Sequence, residues 1–394
     1  MKIVEAKPFI VGTPPPHFGG ANWVFVKLTT DEGIHGWGES YGSELYFPSA
    51  VKLLEDMAEH FVIGSDPFKI ERLWKTLYAS GYNQHADILK MAAISAIEMA
   101  CWDIIGKALD QPIYNLLGGQ YHEKIRTYSY LYPAPGDTLP ANSAMHYSPE
   151  RTRKSAEMAL SQGFTAVKFD PLMTRSTFGP SELSRAELDN VEAVVSGVRE
   201  VLGNKAEIMI GTHGQMTASS AIMLAKRLEP YEPAWFEEPV PPENMDEMAR
   251  VVRSTSIPIA TGERLTTKYE FAQLLNKQAV GILQMALGRV GGILEAKKIA
   301  SMAEAHYVNF APHVWAGPIE AAASIQLDTC SPNFFIQEGI GRWGDFYDEL
   351  LVEPFVWEDG YIIPSDRPGL GVEINEEVAR KHPFVEIRGR DLVI

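Results

Sequence analysis

Residues 234–263 read AWFEEPVPPENMDEMARVVRSTSIPIATGE. An apolar run ends at Glu237 and Glu238, a proline-bounded loop follows, and MDEMARVV then repeats apolar residues three and four apart. A second apolar run, IPIAT, ends at Glu263. A strand, a one-faced helix and another strand within about thirty residues form a crossover unit, which lays the two strands parallel. The alternation continues on both sides. RTYSYLYP, AVKFDPL, EIMIGTHG, AWFEEPV, IPIATGE, GILQMAL, VNFAPHV and FFIQEGI are apolar strand-like segments. Amphipathic stretches such as SRAELDNVEAVVSGVREVLG and LEAKKIASMAEAH lie between them. Near-continuous apolar strands alternating with helices describe a parallel sheet covered on both faces. Eight units, with no glycine-rich phosphate turn after the first, favour a closed barrel over an open doubly wound sheet.

In such a barrel the chemistry sits where strands end at their carboxyl side. Lys168 and Asp170 end one strand, Glu237 and Glu263 end two more, and His313 ends another. Burying unpaired charge is costly, so ionisable groups at the ends of buried strands point to a shared ligand. EIMIGTHG and GILQMALG break the series, with Gly211 and Ala286 where acids are expected.

The rest of the chain differs in kind. Residues 1–125 open with alternating strands, IVEAKPFIV and NWVFVKLTT, and continue as helices. The last of these, MAAISAIEMACWDIIGKAL, is expected to run to a cap at Gly118 and Gly119. Residues 126–350 carry the barrel, and 351–394 revert to short strands expected to pack on the N-terminal unit. Over 394 residues, 45% hydrophobic and 22% charged content is that of a globular protein with a large core. A net charge of −16 argues against nucleic acid or an anionic membrane as partner, but not against a small anionic substrate. With only Cys101 and Cys330 and neither a signal peptide nor an apolar run of about 18 residues, the chain reads as cytoplasmic.

SAIEMACWDIIGKALDQPIYNLLGG, GFTAVKFD, WFEEP, IPIATGE, RVGGILEAKKIA, APH and GPIEAAA together resemble the enolase superfamily, in its mandelate racemase-like subgroup. The resemblance runs over essentially the whole chain. It implies a (β/α)7β barrel under an α+β capping domain built from both termini, whose loops close on the substrate. Proton abstraction beside a carboxylate is the chemistry it implies, with the enediolate held on Mg²⁺, and a homo-oligomer is expected. Such a proton is too weakly acidic for a side-chain base unless the developing charge is stabilised.

Of the family's three acidic metal ligands, Glu237 and Glu263 match the second and third, while Gly211 stands at the first. His213, two residues on and expected on the same strand face, is the candidate third ligand. Its imidazole would shift preference from Mg²⁺ toward Mn²⁺, Zn²⁺ or Ni²⁺. Lys168 matches the first lysine of a Lys-x-Lys pair and Asp170 replaces the second, leaving a Lys168–Asp170 ion pair as the alternative to catalysis. His313 matches the catalytic histidine, but Ala286 stands where the family orients it with an aspartate. Glu338 matches an acid that hydrogen-bonds the substrate carboxylate, and His213 a general acid of some sugar-acid dehydratases. His17, Trp23, Tyr82, His85 and Arg264 are the candidate substrate-binding residues, with Phe18 and Tyr41 as further pocket candidates. The reading is a metal-dependent dehydratase of a sugar acid. An epimerase or cycloisomerase, or a sugar-acid-binding barrel without turnover, stays open.

Overall fold

A computed structural model describes residues 1–42, 45–82, 84–132, 148–172, 179–340 and 345–387. Strands β1 (Ile3–Gly12), β2 (Asn22–Thr30) and β3 (His35–Ser40) form an antiparallel meander. The helix Ile88–Leu109 lies across it, with the helices Phe47–Met57 and Ile70–Tyr78 alongside. Apolar residues run round the whole helix because it is covered on nearly every side. Asp87 caps its start by accepting from Lys90 N. It ends earlier than the glycine pair suggests. Asp110 turns left-handed at φ 53° and Pro112 follows, so residues 113–116 form a separate turn before Gly118.

The barrel strands are β4 (Ile125–Tyr130), β5 (Ala166–Phe169), β6 (Glu207–Gly211), β7 (Trp235–Glu237), β8 (Ile259–Thr261), β9 (Ile282–Leu283), β10 (Asn309–Phe310) and β11 (Gln337–Gly339). Each pairs in parallel with the next from β4 to β10. Closure comes from the last segment: Phe334 bridges Phe310, and β11 pairs with β4. Helices of the (β/α) units pack outside, against alternate strand residues such as Val167, Ile208, Phe236 and Leu283. The inward residues form a separate cluster: Tyr128, Ala166, Met209, Trp235, Ala260, Ile282, Ala311 and Ile336.

That layer decides what faces the mouth. One step of two along each strand from Ala166, Met209, Trp235, Ile282, Ala311 and Ile336 lie Lys168, Gly211, Glu237, Gln284, His313 and Glu338. Glu263 reaches the mouth differently. Gly262 adopts φ 138°, a conformation side chains rarely take, and this shifts the alternation by one residue after β8.

The C-terminal segment touches both units. β12 (Val356–Glu358) and β13 (Tyr361–Ile363) form a hairpin that pairs antiparallel with β4. Further on, Leu370 N donates to Asp103, Glu373 accepts from Trp37 Nε1, and Val385 exchanges two hydrogen bonds with Asn22. No helix among the described residues is long and apolar enough to cross a membrane.

Candidate active site

Lys168 is 1% exposed, and its Nζ lies 2.5 Å from Glu237 Oε1 and 3.7 Å from Glu338 Oε1. The rings of Tyr130 and Tyr128 flank the ammonium at 5.2 and 5.9 Å. Burial is the largest single influence and opposes its charge, but Glu237, Tyr128, Glu338 and Glu263 together outweigh it and keep the group an ammonium. The other oxygen of Glu237 accepts from Gln284 Nε2 at 2.7 Å. Lys168 thus pairs with Glu237, not with Asp170.

Asp170 takes a different partner. Its Oδ1 accepts from Leu172 N at 3.0 Å, and its Oδ2 lies 2.5 Å from His213 Nδ1. The expected extended path to His213 does not hold. β6 stops at Gly211, and His213 turns left-handed at φ 47°, which aims the ring at Asp170. Burial works against an imidazolium there, yet the hydrogen bond and charge of Asp170 lift His213 to about 10.

His313 follows the seventh strand, and its ring is fixed without residue 286. Nδ1 lies 3.2 Å from both Glu263 Oε2 and Glu338 Oε2, off the line of a hydrogen bond to either, and Nε2 faces Tyr41 Oη at 3.2 Å. Two acids from other strands thus flank the ring, whereas the resemblance leads one to expect an aspartate at position 286. Burial again opposes charge, but Glu338 and Glu263 raise the imidazole above its usual range. Glu338 accepts from Tyr130 Oη and Val314 N, each at 2.5 Å. Although burial would raise it, His313 and Lys168 hold its carboxyl well below the usual range. Glu263 is likewise opposed by burial and is drawn down to about 2 by His313 and His213.

The third and seventh strands of an eight-stranded barrel are diametrically opposed, so His213 and His313 follow strands on opposite sides of the mouth. Each ring stands beside an acid. The capping unit completes this arrangement. Glu39, at the end of β3, accepts from Gly317 N and Glu320 N at the start of the helix Pro318–Thr329. Two residues on, Tyr41 reaches His313, clamped by Arg289, whose guanidinium lies 4.2 Å over its ring and whose Nε donates to its carbonyl.

The remaining candidates divide. Arg264 Nε donates to Glu238 at 2.8 Å, so this arginine serves a neighbouring acid, which burial and Glu263 push up to about 7. Glu238 does not simply alternate away from Glu237, because β7 ends between them and Glu238 is left-handed at φ 41°. Trp23 is buried, its Nε1 donates to Gly19 O and its ring stacks on Phe346, which makes it packing between the capping strands and the short helix Phe346–Leu350. His17 bonds Thr13 through Nδ1 at 3.0 Å, while its neighbour Phe18 meets Tyr132 at the mouth, with ring centroids 4.5 Å apart. Tyr82 is 95% exposed and His85 bonds the carbonyl of Ala86; among the described residues neither contacts the strand-end cluster. Sequence reasoning missed Gln284, Tyr130 and Arg289. Gln284 was within reach, since it lies two residues before Ala286 on the same strand parity.

The fold is that of a barrel protein with a cluster of buried ionisable side chains gathered at its strand ends. The chain belongs to the enolase superfamily: residues 151–378 match the enolase C-terminal domain-like family. Residues 9–118 match the mandelate racemase / muconate lactonizing enzyme N-terminal domain. It is 38% identical over 366 residues to a D-galactonate dehydratase of Pectobacterium atrosepticum, covering 90% of each chain. A D-galactonate dehydratase of Ralstonia pickettii is 39% identical over 363 residues, covering 90% of this chain and 89% of the other. A protein described as a candidate mandelate racemase/muconate lactonizing enzyme from Burkholderia SAR-1 superposes with a TM-score of 0.95 at 50% identity. The match covers 98% of this chain and 96% of that one. Relatives of this kind place the chain among the hydro-lyases.

Enzymes of this superfamily, galactonate dehydratases among them, generally use a divalent metal. The residues here do not fit one as placed. Hard cations take several free oxygens, but both oxygens of Glu237 are engaged, by Lys168 and Gln284. His213 directs Nδ1 to Asp170, and Gly211 offers no donor. Among the described residues no three His, Cys, Asp or Glu side chains are gathered as a metal shell. Of the expected ligands, Glu237 and His213 are engaged by Lys168 and Asp170, whereas Glu263 lies beside His313 with its Oε2 free of any hydrogen bond among the described residues.

Proposed function

We propose that the protein dehydrates a sugar acid of the aldonate or aldarate type, D-galactonate being the first candidate, to a 2-keto-3-deoxy acid. The observation that carries this reading is the pair of histidines after opposite strands of the barrel, each beside a carboxylate. His313, in the fraction that has lost its proton, takes the proton from C2, and the electrons of that C–H bond form the enediolate. Lys168 offsets the new charge from a buried position, where an ammonium counts for more than in water. His213, charged at neutral pH, gives its proton to the hydroxyl on C3, which leaves as water as the C3–O bond breaks. The enol then tautomerises to the keto acid, releasing its O–H proton as C3 takes one up. No other atom is gained or lost. Tyr41 and Glu338 hold the His313 ring in place for this step.

Two opposed acid–base groups also suit epimerisation at C2, with one removing the proton and the other returning it on the far face. The dehydratases among the relatives favour elimination. A test incubates the protein in D₂O with a panel of aldonic and aldaric acids and follows it by proton NMR. Keto-acid product supports dehydration, and C2 exchange with inversion but no product supports epimerisation. Neither signal for any panel member would sink both.

A further inference from the structure

Gly211 ends β6 between Lys168 on β5 and Glu237 on β7, directly opposite Glu237 in the strand register. Its backbone is not in the left-handed region, so conformation does not demand glycine. Space does. A Cβ at 211 would lie 3.3 Å from Lys168 Cε and 4.0 Å from Asp170 Oδ2, tight against the lysine stem and at ordinary contact with the acid. A longer side chain would have to displace the lysine from its path to Glu237. With no side chain at 211, Lys168 crosses the gap and sets its ammonium 2.5 Å from Glu237 Oε1, while Asp170 turns to His213.

These are one rearrangement. We propose that the Lys168 ammonium occupies the cation position beside Glu237, and that the mouth of this barrel works with that fixed monocation in place of a divalent ion. The proposal rests on reading the mouth as the active site. It concerns only which cation stands there. The donor chemistry supports it: an ammonium needs acceptors and no open coordination sphere, and it finds Glu237, Glu338 and two aromatic faces. Gln284 closes the remaining oxygen of Glu237 against a metal.

Equilibrium metal binding tests this separately from turnover. Protein stripped with a chelator is titrated with Mn²⁺, followed by calorimetry and by the electron-spin signal of free Mn²⁺. The wild type is expected to show no saturable site up to about 1 mM. Gly211→Asp, which supplies a third acid and crowds the lysine out, is expected to gain one. Lys168→Met frees Glu237 without altering residue 211 and should tighten Mn²⁺ binding at least about tenfold, should the first variant fail to fold. Stoichiometric micromolar binding by the wild type overturns the proposal. So does a Lys168→Met protein, folded by circular dichroism, that binds no better than wild type. Turnover of the acid panel is measured alongside, with and without chelator: turnover that chelator abolishes overturns the proposal, whereas no turnover of any acid in either condition, with the Mn²⁺ pattern as expected, counts against the dehydratase reading and leaves the lysine assignment standing.

Discussion

Asp170 and His213, from the ends of neighbouring strands, meet with Oδ2 and Nδ1 2.5 Å apart. The contact makes a histidine–carboxylate dyad from a position where the family resemblance leads one to expect a lysine. Its acid fixes the ring orientation and leaves Nε2 to act on substrate. Asp170→Asn and His213→Asn are each expected to lower kcat for keto-acid formation by about 10² to 10⁴. Because the two act as a unit, the double variant should lose little beyond the worse single one. Multiplying losses in the double variant would mean that the two residues act independently.

The pH dependence of turnover follows from the two imidazoles. Glu338 and Glu263 raise His313 despite its burial, so the base becomes neutral only above the usual imidazole range and kcat/KM should climb through that region. Asp170 holds the acid, His213, to about 10, so activity should decline only as pH passes that value. The optimum is therefore alkaline. In Asp170→Asn the falling limb should move down toward about 6.5, and an unmoved limb would remove His213 from the role of acid.

Much of this site could be read from the residues because strand parity is rigid. Lys168, Glu237, His313 and Glu338 fall inward from the same two-residue count that places Met209 and Trp235 in the barrel interior. Parity failed where the strands stopped. Left-handed residues at His213 and Glu238, and Gly262 before Glu263, redirect side chains after the last regular residue, and periodicity cannot foresee a sign change in φ. The partners of the lysine were equally hidden, since Lys168–Glu237 and Asp170–His213 are pairings between strands, while the Lys168–Asp170 pair weighed as the alternative to catalysis lay within one. Arg289 and Tyr41 meet only because the capping unit docks on the barrel, which no local pattern encodes.

Packing inside the capping unit sets a sharp stability expectation at Gly38. The helix Ile88–Leu109 runs so close to β3 that a Cβ on Gly38 would stand 1.8 Å from the carbonyl oxygen of Ala96. Backbone cannot yield as a flexible side chain can, so Gly38→Ala is expected to destabilise the fold by at least about 3 kcal/mol. Gly33 provides the comparison: it is left-handed at φ 81° with nothing within 4 Å of a built Cβ, and Gly33→Ala should cost only about 1 kcal/mol. Chemical denaturation of both variants checks the difference. Equal losses would mean that the close approach at β3 relaxes cheaply.

Asp328 should make stability depend on pH in a way its asparagine variant lacks. It lies in the wholly buried helix Pro318–Thr329, and neither carboxylate oxygen has a hydrogen-bond partner among the described residues. Burial alone pushes its carboxyl well above the ordinary aspartate value. Below about 3.9 both the folded and the unfolded chain hold the proton, and the residue adds no slope. Above that, the unfolded chain ionises while the folded one stays protonated, so raising the pH favours unfolding until the folded carboxyl itself titrates. In that window wild type should lose about 1.4 kcal/mol per pH unit relative to Asp328→Asn. Urea denaturation of the two proteins at pH 5, 6.5 and 8 measures the difference directly, since every other titrating group is common to both. A difference that stays constant across that range would show that Asp328 is ionised in the fold and has found a counter-charge.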